Sequence, residues 1–192
     1  MRDDKRVNID VTKIRKAIQS GIPLSITTYT LPHEMEVYMG DVLTAFLSEL
    51  NQSSMVEFLT YSLNELVTNA KKANTKRVYF AEKQLNINDL NDYNQGMVNF
   101  KQETLDNINH YLEIQKAKGL YVKLILQARP NEIKIEVRNN SELTAFEYKR
   151  IHDKIEKAHQ YSSIEEAFSQ VLDETEGAGL GLIILILLLR KI

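Results

Sequence analysis

In the stretch SLNELVTNAKKA, Glu65 and Asn69 stand four residues apart and Lys72 follows three later. On a helix, positions i and i+4 project from the same side one turn apart, while Leu63, Leu66 and Ala70 turn elsewhere. A carboxylate and an amide oxygen stacked in this way can orient a water molecule. They can also hold a hard cation such as Mg²⁺, which takes oxygen ligands and keeps several waters. The Lys72 ammonium reaches an anion held beside them. The same three residues also suit an ordinary solvated helix face.

A second group lies in GAGLGL, where Gly177, Gly179 and Gly181 alternate with Ala178, Leu180 and Leu182. Glycines let the backbone bend at positive φ and approach a ligand closely. The N-terminus of a following helix offers unpaired N–H groups and a favourable dipole to phosphate. No Lys-Ser or Lys-Thr follows, as a Walker A loop requires, and no clear strand precedes it as in a dinucleotide fingerprint. Alternating glycines also mark a plain turn into a helix.

These groups need elements to carry them. VTKIRKAIQSG reads as an amphipathic helix stopped by Gly21, PLSITTYT as a strand, and Pro32 as the start of a helix running to Leu50. NQSS supplies a turn, and SMVEFLTYSLNELVTNAKKAN forms the helix that bears Glu65 and Asn69, with Val56, Leu59, Leu63, Leu66 and Ala70 as its apolar stripe. TKRVYF then reads as a short strand, and residues 84 to 118 as a loop and a helix. GLYVKLILQARPNEIKIEVRNN is the clearest hairpin, with Pro130 and Asn131 at its turn. Helices over about Leu143–Ala158 and Ile164–Leu172 lead into the glycines. The order indicates an α+β protein with helices on one face of a mixed sheet.

Composition narrows the function classes. The chain of 192 residues, 43% hydrophobic and 26% charged, has enough apolar material for a substantial core. With 24 basic against 26 acidic residues, no polycationic surface announces nucleic acid or anionic lipid. The absence of cysteine excludes disulfides and thiolate metal sites, and the N-terminus lacks the apolar core of a secretory signal; both agree with a cytoplasmic protein. The apolar run Leu180–Leu189 is well short of the roughly 20 residues that span a bilayer, so no membrane span is expected. It reads as a buried helix whose exposure would favour self-association, which is compatible with a homodimer.

Taken in order, the helix with NELVTNAKKA, the hairpin ending at VRNNS and GAGLGL before an apolar helix resemble the N box, G1 box and G2 box of the GHKL superfamily. These are the histidine kinase-like, Bergerat-fold ATPases, among them gyrase and the serine-kinase anti-sigma factors. The resemblance covers residues 52 to 192 and implies a two-layer α/β sandwich, a mixed sheet covered on one face by helices, binding ATP and Mg²⁺. Glu65 then matches the glutamate that activates the attacking nucleophile, Asn69 the Mg²⁺ ligand, and Lys72 the basic position near phosphate. The backbone amides of Gly177, Gly179, Leu180 and Gly181 match the triphosphate cradle. Residues 51–192 would form the ATP-binding domain, with an insertion at about 75–118 and a mobile lid at about 141–176, and residues 1–50 would be integral to it. The G1 box departs from the family pattern: Asn139 stands where an aspartate accepts the adenine amino proton, and Ser141 where a glycine allows close approach. In the family further strands follow the last helix, so a longer natural chain is expected.

Three functions follow from the resemblance. One is a kinase or ATPase-like signalling module acting with a separate protein partner. Another is a nucleotide-responsive regulatory module without turnover, and the third a structural interaction domain with a vestigial pocket. None of His33, His110, His152 and His159 reads as a phosphoacceptor; each reads as a surface residue.

Overall fold

The computed structural model describes residues 9–172 and 180–190. Eight α-helices and three strands are formed there. They run in the order α1 (Val11–Ser20), β1 (Leu24–Thr28), α2 (His33–Glu49), α3 (Val56–Glu82), α4 (Leu90–Asp106), α5 (Ile108–Ala117), β2 (Val122–Arg129), β3 (Glu132–Asn139), α6 (Ala145–Gln160), α7 (Ile164–Leu172) and α8 (Leu180–Leu189). The chain divides into two compact units, residues 1–141 and 142–192.

In the first unit the strands form one sheet in the order β1-β2-β3, with both ladders antiparallel. The α+β class therefore holds, while the mixed sheet becomes an antiparallel one among the described residues. The β2–β3 ladder is antiparallel by necessity, because two turn residues cannot make the crossover a parallel pair needs. Pro130 and Asn131 occupy that turn, and Asn131 supplies the positive φ of 66°. Alternation along β2 is regular: Val122, Leu124, Leu126 and Ala128 are buried, and the residues between them face outward. The buried row packs against Ile14 of α1, Met39, Leu43, Phe46 and Leu47 of α2, and Leu59, Leu63, Val67 and Ala70 of α3. Asp10 caps α1 by accepting from the Lys13 N–H, and Gly21 ends it at φ 63°. Arg15 of α1 grips both oxygens of Glu49 of α2 at 2.8 and 3.0 Å.

The largest departure from the sequence reading is at 75–80. TKRVYF has strand-like residues, yet it forms the last turns of α3, which runs without a break to Glu82. The apolar stripe explains why: Leu63, Val67, Ala70, Asn74 and Val78 recur at three- and four-residue steps, and all are buried. Val67 rather than Leu66 completes that stripe. Beyond it, Val78, Tyr79 and Phe80 seed a second core with Tyr93 and Phe100 of α4 and Tyr111 of α5. The segment 84–118 is thus two helices rather than one, packed on the end of α3. Gly96 lets α4 approach closely, because a Cβ there would lie 2.6 Å from the Phe80 ring.

The second unit comprises α6, α7 and α8. Thr144 and Glu147 close a capping box at the start of α6. Ala158, Tyr161 and Ala167 pack against Ile183 and Leu187 of α8. Arg190 donates to the Tyr161 carbonyl at 3.3 Å and lies 2.6 Å from His159 Nδ1.

Candidate functional site

The buried stripe of α3 fixes what its other side can do. Glu65 and Asn69 face away from the core, and the Asn69 amide donates to Glu65 Oε1 at 2.9 Å. That bond sets the amide orientation. The Asn69 carbonyl oxygen and the second Glu65 oxygen keep no protein partner among the described residues. Lys72 is exposed on the same side and also lacks an ion-pair partner there. One turn before Glu65, the Tyr61 phenol is pushed above its ordinary value, first by burial and then by the Glu65 carboxylate. Farther along the Glu65 side, Lys76 donates to the Tyr93 hydroxyl at 3.0 Å. The face therefore runs from phenol to carboxylate to amide to two ammonium groups, over about 16 Å between Glu65 and Lys76 at 1.5 Å per residue.

This donor set suits a hard cation in one specific way. No group of three His, Cys, Asp or Glu side chains converges among the described residues. A cation on this face would take the Asn69 carbonyl and Glu65, and fill its remaining positions with water or ligand oxygens, as Mg²⁺ does with phosphates.

The G1 residues lie elsewhere. Asn74, only 1% exposed, donates to the Tyr121 carbonyl at 3.1 Å and accepts from the Ser141 hydroxyl at 2.7 Å and the Asn139 amide at 3.2 Å. The Tyr121 carbonyl can only accept, so the Asn74 NH₂ must point to it and its oxygen to Asn139 and Ser141. Beside this group, Asn140 accepts from the Tyr121 N–H at 2.9 Å and donates to the Gly119 carbonyl at 3.0 Å. The start of β2 and the end of β3 are thereby tied to α3. Asn74 is nine residues from Glu65, about two and a half turns, which places it on the opposite side of the helix. The structure thus gathers Glu65, Asn69 and Lys72 on one side of α3, and Asn139 with Ser141 on the other. Sequence reading missed Asn74 and Lys76; the step of four from Ala70 to Asn74 along the apolar stripe was the signal for the first.

Of the glycine stretch, Gly177 and Gly179 lie outside the described residues. Leu180 and Gly181 form the first turn of α8. A separate cleft of about 410 Å³ opens between α2 and α3, lined among others by Glu36, Asp41, Thr44, Asn64 and Thr68. Lys71 bonds Glu36 at 2.6 Å beside it. His33 is exposed at the start of α2, and His152 packs against Tyr148 with ring centroids 4.3 Å apart and planes tilted by 47°.

No helix among the described residues is long and apolar enough to cross a membrane. No family model matches the chain, and no solved structure matches it. A protein of Treponema pallidum (strain Nichols), described as uncharacterized, is 50% identical over 189 residues, which is 98% of this chain and 37% of that protein. The chain spans little more than a third of the length of the relative it matches.

Proposed function

We propose that this chain is an ATP-binding domain of the GHKL, Bergerat-fold type, serving as a protein kinase or ATPase-like signalling module that acts on a separate protein partner. The observation that carries the reading is the Glu65–Asn69 pair: a carboxylate and an amide locked together one turn apart, with free oxygens, on the solvent side of a helix whose other side is anchored in the core. Bound Mg·ATP would supply the phosphoryl group and the cation. Toward it, the Asn69 carbonyl would hold the cation, Glu65 would accept a proton from the attacking hydroxyl or water, and Lys72 would neutralise phosphate charge. The resemblance assigns the amides of Gly177, Gly179, Leu180 and Gly181 to phosphate, and α6 and α7 to a lid.

A second reading, nucleotide-responsive regulation without turnover, is favoured by the G1 residues. Asn139 donates its amide N–H and Ser141 its hydroxyl to Asn74, on the side of α3 opposite Glu65, so the adenine contact of the family is not prepared in the same form. Titration calorimetry with Mg·ATP on the wild type, Glu65→Ala and Asn69→Ala separates the readings. Binding by the wild type, weakened by Asn69→Ala, supports a nucleotide site. Phosphate release or phosphotransfer lost in Glu65→Ala selects the enzyme, and binding without either selects the regulator. No heat with the wild type refutes both.

A further inference from the structure

Sheet edges attract strands unless something blunts them. The edge at β1 is blunted: the strand has five residues and follows Pro23, and Gln127 ties its approach down by donating to the Gly21 carbonyl at 2.7 Å. The edge at β3 is guarded, among the described residues, by charged side chains alone. It has eight residues, an uninterrupted register with β2 and no proline, and no described strand pairs with its other side. Its inward residues Ile133, Ile135 and Val137 pack on the core and remain only half-buried. Its outward residues alternate in sign: Glu132, Lys134, Glu136 and Arg138.

That alternation is self-complementary. With two copies of β3 antiparallel about a two-fold axis at Ile135, Glu132 faces Arg138 of the second strand and Lys134 faces Glu136. On the inward side Ile133 faces Val137, and Ile135 faces itself. Directly opposed residues of an antiparallel pair share a face and interact, favourably when their charges differ. A shift of two residues in one direction sets Lys134 against itself and Glu132 against Glu136. The opposite shift sets Glu136 against itself and Lys134 against Arg138. A shift of one residue puts the two helical layers on opposite faces and charged residues against apolar ones. The centred register alone satisfies both faces. Within one strand Glu136 is already flanked by Lys134, at 2.7 Å, and by Arg138, so the groups that would pair across the axis are charged and in place.

We infer that β3 is a homodimerisation edge, and that a second copy of this chain pairs with it antiparallel about Ile135 to give a continuous six-stranded sheet with α1, α2 and α3 of both copies on one face.

Sedimentation velocity on the full chain tests this with three proteins: the wild type, Glu136→Lys, which sets an ammonium opposite Lys134 twice per dimer, and Lys134→Glu/Glu136→Lys, which inverts both signs and restores opposition. Glu132→Lys, at the hairpin end and opposite Arg138, is the milder reversal should Glu136→Lys fail to fold. The wild type should dimerise. A reversal should raise the dimer dissociation constant about tenfold or more, and the double inversion should recover it. Amide exchange in β3 should slow as protein concentration rises. A wild type that stays monomeric at all concentrations, a dimer indifferent to both reversals, or a double inversion that recovers nothing overturns the inference. So does protection of the β3 edge that does not depend on concentration, because another segment of the same chain would then occupy it.

Discussion

Replacing Asn74 by alanine removes one donor and one doubly used acceptor at a site 1% exposed. Three hydrogen bonds are lost together: to the Tyr121 carbonyl, from Ser141 and from Asn139. A neutral hydrogen bond contributes about 1 kcal/mol net, and a group left buried without a partner costs more. Ser141, Asn139 and Tyr121 are each partly exposed, so water replaces some of what they lose, and the expected cost is about 2–3 kcal/mol. Ser141→Ala breaks one bond and leaves Asn74 with two, so it should cost about 1 kcal/mol. Asn74→Asp keeps the acceptor but turns an oxygen on the Tyr121 carbonyl, and should cost at least as much as the alanine variant. Native-state amide exchange across β2 and β3, with urea unfolding followed by circular dichroism, reads these differences in the strands Asn74 joins to α3. A cost for Asn74→Ala no greater than that for Ser141→Ala would show that Asn74 is not the shared partner.

Gly96→Ala puts a methyl group 2.6 Å from the Phe80 ring; α4 must shift, and a loss of about 1–3 kcal/mol is expected in thermal unfolding. In the hairpin, hydrogen bonds from Arg138 and then Lys134 hold the Glu136 carboxyl down from 4.5 to about 2. A depressed folded-state pKa contributes stability that is present in full above the unfolded value near 4.5 and is lost as pH falls toward 2. NMR titration of Glu136 should show this, and Arg138→Ala should return the carboxyl toward 4.5.

Much of the architecture was legible because local signals agreed with one another. The hairpin announced itself through alternation and a Pro-Asn turn, and α1, α2 and α6 lay close to where periodicity and proline placed them. The segment 75–80 was not legible. Val78, Tyr79 and Phe80 carry the residue types of a strand, and only the aromatic partners supplied by α4 and α5 make continued helix the better burial. At the site, Glu65 and Asn69 were legible because both lie on one helix at a spacing that fixes their relation. The association of Asn139 and Ser141 with Asn74 was not, since more than sixty residues separate them in sequence and the bond depends on how β3 docks against α3.

The sequence by itself determined the local facts: which residues share a helix face, where the hairpin turns, and that the terminal apolar run is too short to span a bilayer. These depend on helical and strand periods, which any short segment carries within itself. Only the tertiary structure decided that the Glu65 face and the Asn139–Ser141 group lie on opposite sides of one helix, and that no described strand pairs with the outer, sign-alternating edge of β3. Those relations depend on which buried stripe each element presents to its neighbours. That choice is made by the whole core together, from residues far apart in the chain.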